Sequence, residues 1–203
     1  MQSAKTSQQR KFVSVDPSKC TGCGICELAC SQEKDERNPL RSRIRIVRMP
    51  MFNFALSCRA CKDAKCVKAC PEKALQQAEG TGLLILDEKK CKGCDWCVQA
   101  CEYGGITIQS DTGLATVCDL CEGTPQCVEF CPEEALELVD SDEEAEKRFS
   151  DALEKLSGHC EELLTTVKNR DWKPLLAAAE KRSEKVSEKL EGLNKKASTK
   201  KER

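Results

Sequence analysis

The apolar residues in the last third of the chain recur at helical spacing. Two series follow alternating steps of three and four residues, as in the seam of a heptad helix. The first comprises Phe149, Leu153, Leu156, Cys160, Leu163 and Val167, and the second Trp172, Leu176, Ala179, Ser183, Val186, Leu190 and Leu193. Residues 141–194 are therefore predicted to form a helical hairpin, followed by a basic, frayed tail over 195–203.

The pattern over residues 12–140 is different, because short apolar stretches alternate there with glycine, proline and cysteine. Leu83–Leu86 follows Gly80 and Gly82, which predicts a turn and a strand, and Ala74–Leu75 before them is predicted as a short helix. The polar segment 1–11 is predicted to be disordered. The chain as a whole is predicted to have an α+β fold of small hairpins and short helices, with the helical hairpin appended.

Sixteen of the seventeen cysteines fall into four runs of four, numbered here in chain order. The runs are Cys20, Cys23, Cys26, Cys30; Cys58, Cys61, Cys66, Cys70; Cys91, Cys94, Cys97, Cys101; and Cys118, Cys121, Cys127, Cys131. Pro71 and Pro132 directly follow runs two and four. This spacing is typical of bacterial two-cluster ferredoxins, in which three cysteines of a run bind one [4Fe–4S] cluster and the fourth binds its neighbour.

An internal repeat connects the four runs. Run one and its preceding segment match run three at an offset of 71 residues, and the segment Cys58–Leu75 matches Cys118–Leu136. The chain is therefore predicted to be a duplicated two-cluster ferredoxin over 12–140. Runs two and three (58–101) form its inner pair, and 12–57 with 102–140 form its outer pair.

Disulfides and zinc are the alternative uses of so many cysteines. Met1–Lys11 has no apolar core of a secretory leader, and no stretch is long and apolar enough to span a membrane, which favours a reduced, cytoplasmic location over a disulfide framework. Zinc sites pair C-x2-C units a dozen or more residues apart, unlike these dense runs. A net charge of −1 gives no indication of nucleic-acid binding.

Residues 12–140 resemble the four-cluster ferredoxin subunits of anaerobic oxidoreductase complexes. That superfamily includes the iron–sulfur subunits of molybdenum and tungsten pterin enzymes, such as aldehyde oxidoreductase and formate dehydrogenase, of hydrogenases and of carbon monoxide dehydrogenase. The resemblance implies four [4Fe–4S] clusters, no catalytic residue in this chain, and a catalytic oxidoreductase partner, for which a pterin enzyme is favoured. A further redox subunit, or a second copy bound through the C-terminal helices, is an additional candidate partner.

The resemblance also implies which cysteines share a cluster. The four sets are Cys20, Cys23, Cys26 with Cys131 (set 1); Cys58, Cys61, Cys66 with Cys101 (set 2); Cys91, Cys94, Cys97 with Cys70 (set 3); and Cys118, Cys121, Cys127 with Cys30 (set 4). Run four departs from the pattern, since five residues separate Cys121 from Cys127. Cys160 lies on a helical seam and is predicted to be an apolar packing residue, not a ligand.

Charge counts along the runs lead to a prediction about reduction potentials. The segment 58–73 carries a net charge of +3 and the segment 118–134 a net charge of −5. Positive surroundings favour the reduced cluster, so potentials are predicted to be higher near run two than near run four. Screening of these side chains by solvent is the alternative, and it would leave little difference.

Arg41, Arg43 and Arg45 alternate with Ser42, Ile44 and Ile46, which predicts a strand with one arginine face. In the superfamily resembled, this inserted segment lies near the large subunit, so the three arginines are candidates for partner docking. The alternative is a solvated outer face.

Two functions remain open at this stage. In the first, the chain is an electron-transfer subunit in a stable complex, and its helical tail serves assembly. In the second, it is a free polyferredoxin that shuttles electrons between enzymes. A redox-sensing regulator is a third and less favoured reading, because four clusters exceed what a sensor needs.

Overall fold

The computed structural model describes residues 10–34, 38–49, 51–170 and 172–201, with only the backbone at Val167 and Lys201. The strands are β1 (Phe12–Val15), β2 (Arg45–Arg48), β3 (Asn53–Leu56), β4 (Leu75–Gln77), β5 (Leu84–Leu86), β6 (Thr107–Ile108), β7 (Ala115–Thr116) and β8 (Leu136–Val139). The helices are α1 (Ile25–Glu33), α2 (Lys65–Lys68), α3 (Trp96–Gln99), α4 (Gln126–Glu129), α5 (Asp142–Asn169) and α6 (Lys173–Lys201).

Every sheet in the described residues consists of two antiparallel strands. β4 pairs with β5, which joins the end of run two to the start of run three. β1 pairs with β8 and places Phe12 opposite Val139, so the segment before run one meets the segment after run four. The helices follow the same scheme, because α1 contacts α4 and α2 contacts α3. Runs one and four are thus neighbours, as are runs two and three.

Positions related by the sequence repeat share unusual backbone conformations. Ala60 and Leu120 have φ of 46° and 55°, and Lys73 and Glu134 both have φ of 49°. A left-handed backbone costs a non-glycine residue roughly 1–2 kcal/mol, so its recurrence at equivalent positions reflects the same loop built twice. Run four differs at Cys121, whose φ is 49°, where its longer gap begins.

The apolar core is built around the cysteines. One cluster of buried residues combines Cys26, Cys30, Cys127 and Cys131 with apolar side chains that include Val13 and Leu136. A second combines cysteines of runs two and three with residues such as Leu75 and Ile106. Thiols therefore occupy positions that large side chains fill in most small domains, as the low aromatic content of 4% requires.

Three predicted local structures are wrong. Ala74–Leu75 is not helical, because Leu75 begins β4 and the short helix α2 ends before Cys70. Arg41 lies in a 3-10 turn at Pro39–Arg41, so the predicted arginine strand begins only at Arg45. Arg10 belongs to the segment predicted to be disordered, but its side chain forms hydrogen bonds to Asp142 in α5. Residues 1–9 lie outside the described part of the chain.

Two long helices occupy the region of the predicted hairpin. The second continues to Lys201, so the prediction of a frayed tail is wrong for 195–201, while 202–203 lie outside the described residues. The start of α5 packs its Ala145 against Phe12 and Val139. The later part of α6 packs Leu193 against Ile25, Ala29 and Phe130.

The predicted seam is buried only in part. Leu153, Leu163, Trp172 and Leu176 are exposed by 41, 48, 50 and 63%. The side chain of Val167 lies outside the described residues. None of the buried apolar clusters in the described structure contains side chains from both long helices. Both helices therefore pack on the ferredoxin region, α5 through Ala145 and α6 through Leu193, and each leaves large apolar side chains exposed.

The described helices include none that combines the length and the apolar composition needed to cross a bilayer.

Candidate metal centres

Four thiols from the two ends of the ferredoxin region line one cavity. Cys20, Cys23 and Cys26 come from the loop before α1 and its first turn, and Cys131 follows α4. Ile46, Ala55 and Leu136 supply apolar walls of the cavity. The pairing of β1 with β8 is what brings Cys131 to run one, although the two are far apart in sequence.

A second cavity lies between runs two and three. Its thiols are Cys91, Cys94 and Cys97, from the loop before and the first turn of α3, together with Cys70 after α2. Leu75 and Leu86, which face each other across β4 and β5, form part of its wall. The two cavities thus have equivalent construction in the inner and outer halves.

The remaining eight thiols of the runs also form two neighbouring groups. Burial, with a smaller effect of the nearby thiol of Cys30, raises the pKa of Cys118 to about 12. Burial likewise raises the pKa of Cys127, with contributions from Cys118 and Cys30. Burial also raises the pKa of Cys121, and the neighbouring thiol of Cys30 contributes to the rise. The first three cysteines of run four therefore lie close to the last cysteine of run one.

The corresponding group in the inner half joins run two to the last cysteine of run three. Burial raises the pKa of Cys58 to about 11, and the thiols of Cys66, Cys61 and Cys101 add to the rise. Burial is also the main cause of the raised pKa of Cys66, followed by the neighbouring Cys101. Such thiols are protonated at neutral pH, so metal binding must displace their protons.

The sulfur of the fourth cysteine in a run accepts a backbone hydrogen bond. In runs two, three and four the donor is the N–H four residues later. The bonds are Ala74 to Cys70, Gly105 to Cys101 and Ala135 to Cys131, each 3.3 Å long. N–H donors to sulfur are a known means of stabilising thiolate-bound clusters and of setting their potential.

Run one obtains this hydrogen bond from elsewhere in the chain. Its helix α1 continues to Glu33, and the N–H of Lys34 bonds to the carbonyl of Ser31. The sulfur of Cys30 instead accepts a hydrogen bond from the N–H of Arg43 at 3.2 Å. Sequence reasoning missed this role, because nothing in the cysteine spacing marks the inserted segment as a donor.

The spacing of these thiols suits a polynuclear group better than a single ion. A zinc ion needs four ligands at 2.0–2.3 Å from one point. In the described residues, no group of three or more His, Cys, Asp or Glu side chains is close enough to hold one ion. Sets of four thiols around one cavity, with backbone N–H donors to the sulfurs of Cys70 and Cys131, fit a [4Fe–4S] cluster.

The four thiol groups form a continuous series. Cys26 of the first cavity lies close enough to Cys127 to affect its pKa, after burial as the main cause. The thiol of Cys58 likewise contributes to the raised pKa of Cys118, after burial as the main cause. The outer half and the inner half therefore meet at these two thiols. Of the sixteen run cysteines, Cys23 and Cys94 are the two exposed ones. Each lies in one of the two cavities, at opposite ends of this series.

The three arginines predicted for docking are engaged within the chain. Arg41 pairs with Asp111, and Arg45 donates to the carbonyls of Pro39 and Leu40. Arg43 bonds Cys30 through its backbone, and its side-chain Nη1 is buried. None of the three residues is exposed. Their role in docking stays a prediction.

Lysine and arginine side chains from other segments form ion pairs with the acidic side chains of run four. Glu133 pairs with Lys185 at 3.3 Å and Arg182 at 3.5 Å, and Glu129 pairs with Lys196 at 3.6 Å. Lys34 at the end of α1 pairs with Asp119. These four cations offset most of the charge of −5 counted for run four alone, and the predicted order of potentials stays a prediction.

Comparisons with known proteins identify relatives of this chain among ferredoxin-type iron–sulfur proteins. A family model described as a 4Fe-4S dicluster domain matches residues 49–141, and one described as a 4Fe-4S binding domain matches residues 13–32. The polyferredoxin-like subunit of an aliphatic sulfonate oxidoreductase from Pyrococcus furiosus is 41% identical over 65% of this chain and 79% of its own length.

Two further relatives differ in size. The electron transport protein HydN of Escherichia coli is 33% identical, over 70% of this chain and 98% of its own. Subunit beta of the NADH-dependent phenylglyoxylate dehydrogenase of Aromatoleum evansii is 41% identical over 63% of this chain, but only 30% of that longer protein. The chain belongs to the [4Fe–4S] ferredoxin-type family of electron-transfer proteins.

A solved structure, the active site complex BamBC of benzoyl coenzyme A reductase with benzoyl-CoA, contains a chain that aligns with 83% of this one and 96% of its own length. The TM-score is 0.37 and the sequence identity 23%.

Proposed function

We propose that this protein is an electron-transfer subunit that carries four [4Fe–4S] clusters and conducts single electrons to or from a separate catalytic subunit. The observation that carries the proposal is the continuous series of four thiol groups with one exposed cysteine at each end, Cys23 and Cys94. A [4Fe–4S] cluster accepts and releases one electron at a time and needs no catalytic base. The chain itself supplies ligands, N–H donors and an apolar surround.

The ligands in this proposal are the four sets implied by the family resemblance. The cavity of Cys20, Cys23, Cys26 and Cys131 and that of Cys70, Cys91, Cys94 and Cys97 support sets 1 and 3. The mutual effects on thiol pKa, secondary to burial, support set 4 around Cys30 and set 2 around Cys101. The fold is then a two-cluster ferredoxin built twice.

The order of the sites follows from their contacts. Set 1 adjoins set 4 through Cys26 and Cys127, and set 4 adjoins set 2 through Cys118 and Cys58. Sets 2 and 3 share the inner half of the fold. Electrons therefore enter or leave beside Cys23 or Cys94, and sets 4 and 2 relay them between the two ends.

The catalytic partner in this proposal is an anaerobic oxidoreductase, with a molybdenum or tungsten pterin enzyme favoured. Relatives are named as subunits of a sulfonate oxidoreductase and a phenylglyoxylate dehydrogenase, which supports a complex. Exposed apolar side chains near the connection of α5 to α6 are suited to docking on that subunit; they are Leu163, Trp172 and Leu176.

Anaerobic purification tests the cofactor and the partner together. We expect about sixteen irons and as many acid-labile sulfides per chain, from four clusters of four. Molybdenum or tungsten in a co-eluting subunit supports a pterin enzyme, whereas nickel points to a hydrogenase or carbon monoxide dehydrogenase. Zinc without sulfide contradicts the proposal.

The alternative function is that of a free polyferredoxin. The exposed side chains near the connection of α5 to α6 distinguish it from a subunit of a stable complex. Truncation after Asp140 is a poor test, because α5 and α6 also pack on the ferredoxin region. The variant Leu163→Glu with Leu176→Glu alters only the exposed face, so it should release the catalytic subunit and keep the iron content. Glu162→Gln, an exposed neighbour, is the matched control. Full iron on a lone chain before any substitution favours the free shuttle.

A further inference from the structure

We propose that Arg43 is a positioning residue that raises the reduction potential of the iron–sulfur site formed by Cys30, Cys118, Cys121 and Cys127. The inference rests on the proposed function, because it requires a cluster at that site. It assigns to Arg43 an internal electrostatic role in place of partner docking.

The backbone of Arg43 replaces a donor that the other three runs supply locally. Cys70, Cys101 and Cys131 each accept the N–H four residues later, but Cys30 lies within α1, where the following N–H groups bond to helix carbonyls. The inserted segment returns to Cys30 and donates the N–H of Arg43 at 3.2 Å. Hydrogen bonds to cluster sulfurs stabilise the more negative, reduced state.

The turn at residues 39–44 holds this backbone rigidly. The hydroxyl of Ser42, which is fully buried, donates to the carbonyl of Ile44 at 2.6 Å. The side chain of Ile44 is 2% exposed and belongs to the apolar cluster that contains Cys30. Arg43 lies between these two anchors, so its position relative to Cys30 is fixed by packing on both sides.

The side chain of Arg43 is the second observation. Its Nη1 atom is buried and has no hydrogen-bond partner among the described residues. Burial of an unpaired guanidinium nitrogen is costly, and native proteins rarely leave one without an acceptor. An anionic group at the thiol site beside it would supply the missing acceptor, and its positive charge would favour the reduced state of that group.

The charges facing the same site come from three elements. Lys34 at the end of α1 and Asp119 in run four pair with each other, and both act electrostatically on Cys30, as Arg43 does. Asp119 also accepts the N–H of Cys121 at 3.1 Å. Lys196 of α6 bonds to Gln126, the residue before Cys127. Removal of Arg43 therefore takes away one of two cations near Cys30, and the one that remains, Lys34, is paired with Asp119.

The test is an anaerobic redox titration of Arg43→Gln, followed by electron paramagnetic resonance, with iron and sulfide measured on the same sample. We expect full iron content and a lower midpoint potential for one of the four clusters. At a fixed potential, its ratio of reduced to oxidised form should fall about tenfold, which corresponds to about 59 mV for a one-electron couple. Arg43→Lys keeps the cation and should give a midpoint between those of Arg43→Gln and the unmodified protein.

Lys155→Gln in α5 is the control, because it removes one positive charge from an exposed position remote in sequence from every run. Its midpoints should not change. Unaltered midpoints in fully loaded Arg43→Gln overturn the proposal, as does an equal shift in Lys155→Gln. If Arg43→Gln loses iron, an unaltered midpoint in Arg43→Lys and in Arg43→Met overturns it. Fewer than four clusters in the unmodified protein would instead contradict the proposed function.

Discussion

Gly192 of α6 lies against the ring of Phe130, the residue before Cys131. A Cβ atom at Gly192 would stand 3.2 Å from Cε1 of Phe130, and the adjacent Leu193 is 3% exposed. The C-terminal helix therefore approaches the outer cysteines closely enough to act as part of their apolar cover. The ion pairs of Lys185 and Lys196 with run four surround this contact.

The variant Gly192→Leu should separate α6 from the ferredoxin region. A large side chain cannot fit against Phe130, and such overpacking costs about 1–3 kcal/mol. Hydrogen exchange of α6 amides should accelerate, and iron should be lost faster from the outer sites in the presence of a chelator. Gly158→Leu in α5 is the control, since a Cβ at Gly158 meets nothing within 4 Å. Equal behaviour of the two variants would refute close packing at Gly192.

Gly93 and Gly113 provide a second matched pair. Both have positive φ, of 63° and 68°, so alanine carries a similar backbone cost of about 1–2 kcal/mol at each. Only at Gly93 would the added Cβ overlap the carbonyl oxygen of Gly113, whereas Gly113 itself has open space. Gly93→Ala should therefore lower the iron content at the site of Cys91 and Cys94, and Gly113→Ala should not. Iron analysis after anaerobic purification measures the difference.

The bidentate pair of Arg10 and Asp142 connects the N-terminal segment to α5 at 2.6 and 2.7 Å. The hydrogen bonds from Arg10 lower the pKa of Asp142. A carboxyl group whose pKa is lower in the folded state stabilises the fold above its unfolded pKa and loses this effect as pH falls below it.

Asp142→Asn should thus cost about 1 kcal/mol, because solvent reaches Asp142 and weakens the pair. The cost should be the same at pH 6 and pH 8 in anaerobic urea unfolding, since both lie above the unfolded pKa. Glu102→Gln breaks the exposed pair of Glu102 with Lys65 and should leave the urea midpoint unchanged. A marked pH dependence of the Asp142→Asn cost over this range would contradict the assignment.

Cys160 is the one cysteine outside the four runs, and it lies half-buried in α5. Cys160→Ala should retain all iron, because the residue is remote in sequence from any run and lines neither cavity. Cys131→Ala should lose iron from the site of Cys20, Cys23 and Cys26. Metal analysis and visible absorbance of the two variants, purified in parallel, measure the iron that each retains. Iron loss from Cys160→Ala would mean that the ligand sets are incomplete.

Much of the site could be predicted from the sequence, because ligand spacing is a local property. Three cysteines within a few residues can close on one group only through a tight loop, and the fourth lies beyond it. The repeat at an offset of 71 residues identified equivalent loops, and Gly24 and Asp95 at that offset both have positive φ, of 82° and 61°.

Equivalent sequence positions do not guarantee equivalent surroundings. Gly22 and Gly93 correspond in the repeat, yet a Cβ at Gly22 would meet the side chain of Asn53, whereas one at Gly93 would meet backbone. The segments that contact the two loops come from β3 in one case and from the β6–β7 turn in the other. Neither contact is visible in the runs themselves.

The sequence by itself determined the thiol chemistry, the four runs and the two long helices, because each depends on residues close together along the chain. The tertiary structure alone decided what surrounds the thiols. It brought the N–H of Arg43 to the sulfur of Cys30 and paired lysines of α6 with carboxylates of run four. It also left the side chains of Leu163 and Leu176 exposed. Electrostatic potential and burial depend on all groups nearby in space, whichever part of the chain supplies them, so they follow only from the fold.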